Sequence, residues 1–401
     1  MIDFKKLAEK YSTPLYVYDF DHIKAKYENL KKAFKARKSL ICYAIKANSN
    51  LSVIKYLGEL GAGCDCVSIG EVRRAFLAGI PKYKIIFSGV GKRDDEIKEA
   101  LERDILFINI ESEGEFERIE EIAENIGKTA RISIRVNPDI DPKTHPYIST
   151  GLDENKFGVD IDTAKRLYIK AKNSKFIEPV GIHFHIGSQL TELEPIKEAS
   201  EKVADLVRSL QVLDIEIKFF DVGGGLGIRY KDETLIEPYD YAQAIFSTLK
   251  GLDLTVICEP GRYIVGNGGY LLTKVLYEKR NKNKRFIIVD AAMNDLIRPS
   301  LYGAYHEVEV LNKSGEKSEA DVVGPVCESG DFFIKNALLP ETSHNDIIVI
   351  KSAGAYAFTM SSNYNSRPRA AEVSVSRKNG DKLIRRRESF EDLIACEKDY
   401  I

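Results

Sequence analysis

Residues 39–68 read SLICYAIKANSNLSVIKYLGELGAGCDCVS. A short apolar run, SLICYAIKA (39–47), leads into a polar stretch with apolar residues three and four apart, then into a second run, CDCVS (64–68). The runs suit strands buried on both faces, and the stretch between them suits an amphipathic helix. The unit then repeats. Further runs stand at KIIFSG (84–89), ILFIN (105–109), ARISIRVN (130–137), EPVGIHFHIG (178–187), KFFDVGGG (218–225) and LTVICEPG (254–261). Helix-periodic stretches such as EVRRAFLAG, DDEIKEALER and SEKVADLVRSL separate them. The eight units predict an α/β fold, a TIM-like (β/α)8 barrel, which typically takes about 250 residues. A doubly wound open sheet is the rival, usually with fewer strands.

Working outward, the unusual residues gather where these runs end: Lys46, Asp65, Ser68, Ser88, Asn109, Arg135, His185, glycines 223–225 and Glu259. Barrel active sites form on that face because the strand-to-helix loops converge there. After about Val265 the rhythm changes. GGYLLTKVLYE, KRFIIVDA, HEVEVLN, ADVVGPVC, DIIVIKSAGAY and AEVSVS read as strands, NKNK (281–284) reads as a hairpin turn, and little helix is evident before the last residues. PLYVYD (14–19) reads as a strand ahead of the barrel. The expected organisation is an N-terminal segment 1–25 that joins a β domain, a barrel over 26–264, and a C-terminal, mostly β, sandwich- or barrel-like domain over 265–401. Within the barrel, loop 138–157 is a candidate lid.

The 401 residues suffice for two such cores. A formal net charge of −2 gives no electrostatic footprint for nucleic acid or an anionic membrane, so a small molecule is the expected partner. No apolar run is long enough to cross a bilayer, and the N-terminus lacks a signal-peptide core. Six cysteines in a chain this long do not make a disulfide scaffold. The expectation is a soluble, cytoplasmic protein.

The chemistry starts at Lys46. A lysine at the end of an apolar strand loses hydration and becomes nucleophilic, as a Schiff base with an aldehyde cofactor requires. A rim lysine in a salt bridge is the bland alternative. In DVGGGLG (221–227) the glycines admit a phosphate to backbone N–H groups, and EPGR (259–262) stands at the next strand end. Barrels often bind phosphate in the loops after strands seven and eight. Alone, the glycines would mark only a tight turn. His183 and His185, two apart, are expected on one side of their strand. They fit a metal pair as in hydrolase barrels, or else one ring stacks on a flat cofactor while Ser188 meets phosphate. Glu259 facing a pyridinium nitrogen would stay ionised and make the ring an electron sink. Its bland reading is a salt bridge to Arg262.

YAIKAN, GIHFHIGSQ, FDVGGGLG and CEPGRYIV together resemble the fold-type III pyridoxal-phosphate decarboxylases, which include ornithine, arginine and diaminopimelate decarboxylases. The similarity runs over essentially the whole chain. It implies that pyridoxal 5′-phosphate is carried on Lys46 and stacked on by His185. It further implies that the phosphate is held by Ser188, Gly225 and the 259–262 backbone, including Gly261 and Arg262, and that the ring nitrogen pairs with Glu259. MNDLIRPSLYGAYHEV (293–308), GPVCESGDFF (324–333) and AGAYAFTMSSNYNSRPR (353–369) resemble the diaminopimelate branch. That likeness implies a homodimer with active sites at its interface. Arg262, Arg298, Tyr302 and Glu328 would hold the substrate, Cys327 and Glu328 would reach into the partner's site, and Tyr356 would contact cofactor and substrate.

The implied reaction converts meso-2,6-diaminopimelate to L-lysine and CO2, with Cys327, or else the released Lys46, reprotonating the carbanion. The substrate's second amino-acid head explains the residue types: a carboxylate suits an arginine fork and an ammonium suits Glu328. The rivals are a related decarboxylase acting on ornithine, arginine or carboxynorspermidine, a regulator without cofactor, and a metal hydrolase using His183 and His185. No resident metal is expected.

Overall fold

The computed structural model describes residues 2–141, 156–282 and 284–401. The backbone divides into one unit of Lys26–Ile228 with Thr234–Tyr263, and another of Met1–Ala25, Arg229–Glu233 and Ile264–Ile401. The first strand, β1 (Leu15–Asp19), belongs to the second unit. The next eight are β2 (Ser39–Ala44), β3 (Gly63–Cys66), β4 (Ile85–Phe87), β5 (Phe107–Ile110), β6 (Ala130–Arg135), β7 (Ile177–His183), β8 (Phe219–Asp221) and β9 (Thr255–Cys258). They pair in parallel in chain order, and β9 closes back on β2. All eight strands expected of the barrel are present.

Parallel strands covered by helices are buried on both faces, so each reads as a continuous apolar run. Cys42, Ile86, Phe107, Val180 and Ile257 fill the interior. The turn from strand to helix is also encoded. Ser68, at the end of CDCVS, lies outside the strand and caps the next helix, its Oγ accepting the Glu71 N–H at 3.2 Å. Ser112 does the same for Glu115 N–H at 3.1 Å. The register sets Ala44 beside Asp65, Arg135 beside His183, and His183 beside Asp221, so these residues form one ring at the strand ends. Most of the candidate lid 138–157 lies outside the described residues.

In the second unit the sheet continues with β10 (Gly269–Asn281), β11 (Lys284–Val289), β12 (Val308–Val310), β13 (Lys317–Val323), β14 (Phe332–Pro340), β15 (Ile347–Ile350), β16 (Ala371–Ser376) and β17 (Gly380–Arg385). β1 lies between β10 and β16, antiparallel to the first and parallel to the second. Leu15, Val17, Leu272, Val349 and Val373 form its core with Leu7 of the N-terminal helix. Residues Arg229–Glu233, inside the stretch assigned to the barrel from sequence, group with this unit instead. Asn267 Nδ2 donates to Arg229 O at 2.9 Å, and Tyr230 packs on His306.

Two strands went unread in the sequence. β14 breaks its alternation where Asn336 takes φ 53° and its N–H turns to Asp321 Oδ1, 2.8 Å away. β17, GDKLIR, is a polar edge strand paired only with β16. A short helix, Arg298–Tyr302, was also missed, although Pro299 opens it and Gly303 at φ 60° closes it.

Buried in this sheet, Arg285 forms a two-pronged pair with Glu278 at 2.9 and 2.8 Å and donates to the carbonyls of Leu339 (2.9 Å) and Pro340 (2.6 Å). Its side chain is 1% exposed. Arg285→Leu should therefore cost about 3–5 kcal/mol, because it strands a carboxylate and two carbonyls. Urea unfolding of the variant against the native chain checks this.

Candidate active site

Lys46 lies in a 3-10 turn, Ile45–Ala47, directly after β2. Its Nζ is 3.4 Å from Asp65 Oδ2 at the end of β3. Asp65 Oδ1 accepts Ser88 Oγ–H at 2.8 Å, and Ser88 Oγ accepts Asn109 Nδ2–H at 3.0 Å. Four consecutive strand ends thus carry one hydrogen-bonded chain that finishes on the lysine. The Lys46 side chain is 41% exposed and that of Asp65 only 1%. The expected dehydration of Lys46 is not what is found: the amine is accessible, and it is its carboxylate partner that is buried. Burial, then the Glu259 charge, push the Asp65 carboxyl up, while Lys46 and Ser88 oppose them.

Across the barrel, His183 ends β7, Asp221 ends β8 and Glu259 follows β9. Their ligand atoms lie within 4.8 Å of one another, and among the described residues this is the one such group of metal-binding types. Glu259 Oε2 is 3.4 Å from His183 Nε2. Glu259 therefore turns to His183, while Arg262 turns to Ser188, with Nη2 3.1 Å from the Ser188 Oγ. The expected face-sharing pair of histidines is not formed. β7 ends at His183, and His185 lies beyond it on the loop after β7, where its Nδ1 accepts the N–H of Gly224, on the glycine loop after β8, at 3.3 Å. Burial, then the charges of Arg135 and Lys46, hold the His185 imidazole well below its usual range, so it is neutral.

The loops after β7, β8 and β9 lie backbone against backbone. Glu259 N–H donates to Gly223 O at 2.6 Å, and Leu190 N–H to Gly225 O at 2.8 Å. At Gly223, φ is 65°, and an added Cβ would fall 2.7 Å from His185 Nδ1 and 2.8 Å from Phe184 O. At Gly225, with φ 111°, it would fall 2.6 Å from Gly187 O. Gly261 approaches Ala47 equally closely, with its added Cβ 2.8 Å from the Ala47 Cβ. Gly223→Ala should weaken binding of the pyridoxal phosphate that the sequence resemblance implies at least about tenfold, because the left-handed backbone and the His185 contact must both yield. Titrating cofactor into the cofactor-free variant by fluorescence checks this.

The family model described as "pyridoxal-dependent decarboxylase, pyridoxal binding domain" matches residues 20–266. The chain is 58% identical over 401 residues to a diaminopimelate decarboxylase of Campylobacter jejuni, covering all of both chains. It is 50% identical to one of Aquifex aeolicus, covering 98% of this chain and 93% of that one. A crystal structure of the Helicobacter pylori diaminopimelate decarboxylase complexed with L-lysine superposes with TM-score 0.97 at 56% identity, covering all of both chains. The chain belongs to the diaminopimelate decarboxylase branch of the pyridoxal-dependent decarboxylases. Its cofactor is pyridoxal phosphate.

The barrel residues of this family member fit that group. Glu259 Oε1 is buried without a hydrogen-bond partner, as a carboxylate awaiting a ring N–H should be. Glycine backbone, Ser188 and Arg262 supply the donor set a phosphate needs, and Lys46 supplies an accessible amine. The strand ends thus bring together Lys46, His185, Ser188, Gly225, Glu259, Gly261 and Arg262. Asp221 and His183, given no cofactor role from sequence, join them. Asp221 had a signal, since it opens DVGGG at a strand end.

In the second unit Arg298 is buried, its Nε 3.3 Å from His306 Nε2 and its Nη2 3.3 Å from Tyr230 Oη. The guanidinium also lies over the rings of Tyr230 (5.4 Å) and Tyr302 (5.6 Å). Ser300 Oγ donates to the Gly330 carbonyl, which ties the Arg298 helix to the turn carrying Cys327 and Glu328, both exposed. Tyr356 follows β15, half-buried, at φ 54°.

Proposed function

We propose that this chain decarboxylates meso-2,6-diaminopimelate to L-lysine and CO2, the last step of lysine formation. The observation that carries the reading is the convergence of Lys46, His185, the glycine loop and the orphaned Glu259 Oε1 at one barrel face, in a chain 58% identical to a diaminopimelate decarboxylase. Bound pyridoxal phosphate supplies an electron sink for the pair left behind by CO2.

The residues' roles follow from their chemistry. Lys46 anchors the cofactor through its amine, with Asp65 setting the direction of that amine. His185, neutral, covers the ring face. Ser188, Gly225, Gly261 and Arg262 hold the phosphate. Glu259 stays ionised and takes the proton-bearing ring nitrogen. Arg298, braced by His306 and two tyrosines, takes the distal carboxylate, with Arg262, Tyr302 and Tyr356 as further contacts. Glu328 takes the distal ammonium. Cys327 returns the proton at the reacting carbon, with Lys46 as second choice. The working form is a homodimer in which Cys327 and Glu328 serve the partner's site.

No helix among the described residues is long and apolar enough to cross a membrane. The six cysteines are free, which suits a reducing compartment, and we place the reaction in the cytoplasm.

CO2 release and lysine formation from meso-diaminopimelate, with and without added pyridoxal phosphate, test the reading. Cofactor-dependent lysine is the expected result. Turnover of ornithine or arginine in its place would move the substrate to a sister activity, and no turnover of any amino acid would overturn the reading.

A further inference from the structure

At the strand ends of the barrel two buried carboxylates, Asp221 and Glu259, have oxygens within 4.8 Å of each other and of a His183 ring nitrogen. Asp221 is fully buried and Glu259 is 7% exposed. Asp221 Oδ1 accepts the Gly223 N–H at 2.9 Å. Its Oδ2 has no hydrogen-bond partner, nor have Glu259 Oε1 and the two ring nitrogens of His183, whose Nε2 stands 3.4 Å from Glu259 Oε2. Two carboxylates this close in a dry site cannot both be ionised. Glu259 has an imidazole nitrogen 3.4 Å from Oε2 and the field of Lys46, whereas Asp221 has a single backbone N–H. The proton therefore belongs on Asp221.

We propose that Asp221 is a positioning residue that works as a carboxylic acid, keeping its proton on Oδ2, turning it toward Glu259, and with His183 holding Glu259 as the carboxylate whose Oε1 meets the cofactor's ring nitrogen. The proposal rests on the role given to Glu259 above. If the two acids shared one negative charge the other way, Oε1 would carry a proton and could not stabilise a ring N–H.

The surrounding groups agree. Burial, then Glu259, push the Asp221 carboxyl well above its usual range. Burial also acts to raise Glu259, but His183 and then Lys46 outweigh it and bring that carboxyl down. The other groups facing the cluster do not compete for the role. Asp65 is taken by Lys46 and Ser88. Burial keeps the Cys42 and Cys258 thiols protonated. His185 is neutral.

An asparagine reproduces the protonated acid: its Oδ1 can accept the Gly223 N–H while its Nδ2 donates toward Glu259. A leucine of like volume does neither. In cofactor titrations of the full-length chain, Asp221→Asn should bind pyridoxal phosphate within about threefold of native, and Asp221→Leu about tenfold to a hundredfold more weakly. An asparagine variant as weak as the leucine one would mean that Asp221 acts through a charge, and would overturn the proposal.

Infrared spectra of the full-length protein, carbon-13 labelled at aspartate carboxyls, give a readout independent of activity and of folding in the Asp221 variants. A protonated-acid carbonyl band persisting at about pH 8, far above the ordinary aspartate range, and surviving Asp65→Asn is expected. Its absence, or its loss in Asp65→Asn, would overturn the proposal. Glu259→Gln tests the underlying reading by itself. If that variant leaves the bound cofactor's visible band unchanged, Glu259 does not hold the ring nitrogen, whatever the infrared band shows.

Discussion

Lys46→Ala should abolish the visible absorbance band of the lysine-linked cofactor and lower lysine production by about a thousandfold or more. The reason is geometric. Lys46 is the one amine at the end of the Asn109–Ser88–Asp65 chain, and that chain points it from buried strand ends into an accessible site. Removing the amine leaves Ser188, Arg262 and the glycine loop in place, so the cofactor should still bind, but without its covalent anchor. Three measurements separate this from a structural loss. The variant should retain pyridoxal phosphate on gel filtration, lack the band, and unfold near the native midpoint, because a side chain 41% exposed contributes little packing. Borohydride reduction of the native protein followed by peptide mapping should place the cofactor on the peptide containing Lys46. A variant with full turnover, or a label on another lysine, would remove Lys46 from its role.

The barrel was legible because its strands are parallel and covered on both sides, which turns each into a short unbroken apolar run. The strands that escaped were those whose burial is one-sided or interrupted: β17 at a polar edge, and β14 with its kink at Asn336. The site was legible residue by residue wherever a polar group ended an apolar run, as with Lys46 and Glu259. Partnership was not. Nothing local says that Asp65 meets Lys46 or that His183 meets Glu259, because both pairings arise from strand register, which brings Ala44 beside Asp65 and His183 beside Asp221. The same reasoning explains the error over the two histidines. Period-two alternation holds only inside a strand, and β7 stops at His183. His306 also escaped, since its work is to brace Arg298 across a buried hydrogen bond that spacing alone does not show.

Arg298→Met should raise KM for meso-diaminopimelate about a hundredfold or more, with kcat changed far less. Methionine keeps most of the volume and removes the fork. The substrate's distal carboxylate then enters with no guanidinium to receive it, a loss felt equally before and during bond cleavage and therefore read in KM. Arg298 is prepared for that task. His306 Nδ1–H is committed to Lys351 O at 2.9 Å, which leaves the Nε2 lone pair to accept Arg298 Nε–H at 3.3 Å. Tyr230 and Tyr302 flank the guanidinium and restrict its rotation, so little ordering remains to be lost when substrate arrives. The discrimination should narrow in step. On the proposed role, amino acids without a distal carboxylate bring this guanidinium no carboxylate and should bind the native chain less well, and the methionine variant should remove that difference. Kinetics with meso-diaminopimelate, and competition by lysine and ornithine, measure both effects. Arg298→Lys should fall between native and methionine, since it keeps the charge without the paired donors. If Arg298 were only a structural cation of the β unit, the methionine variant would unfold earlier while KM and the preference over ornithine stayed at native values.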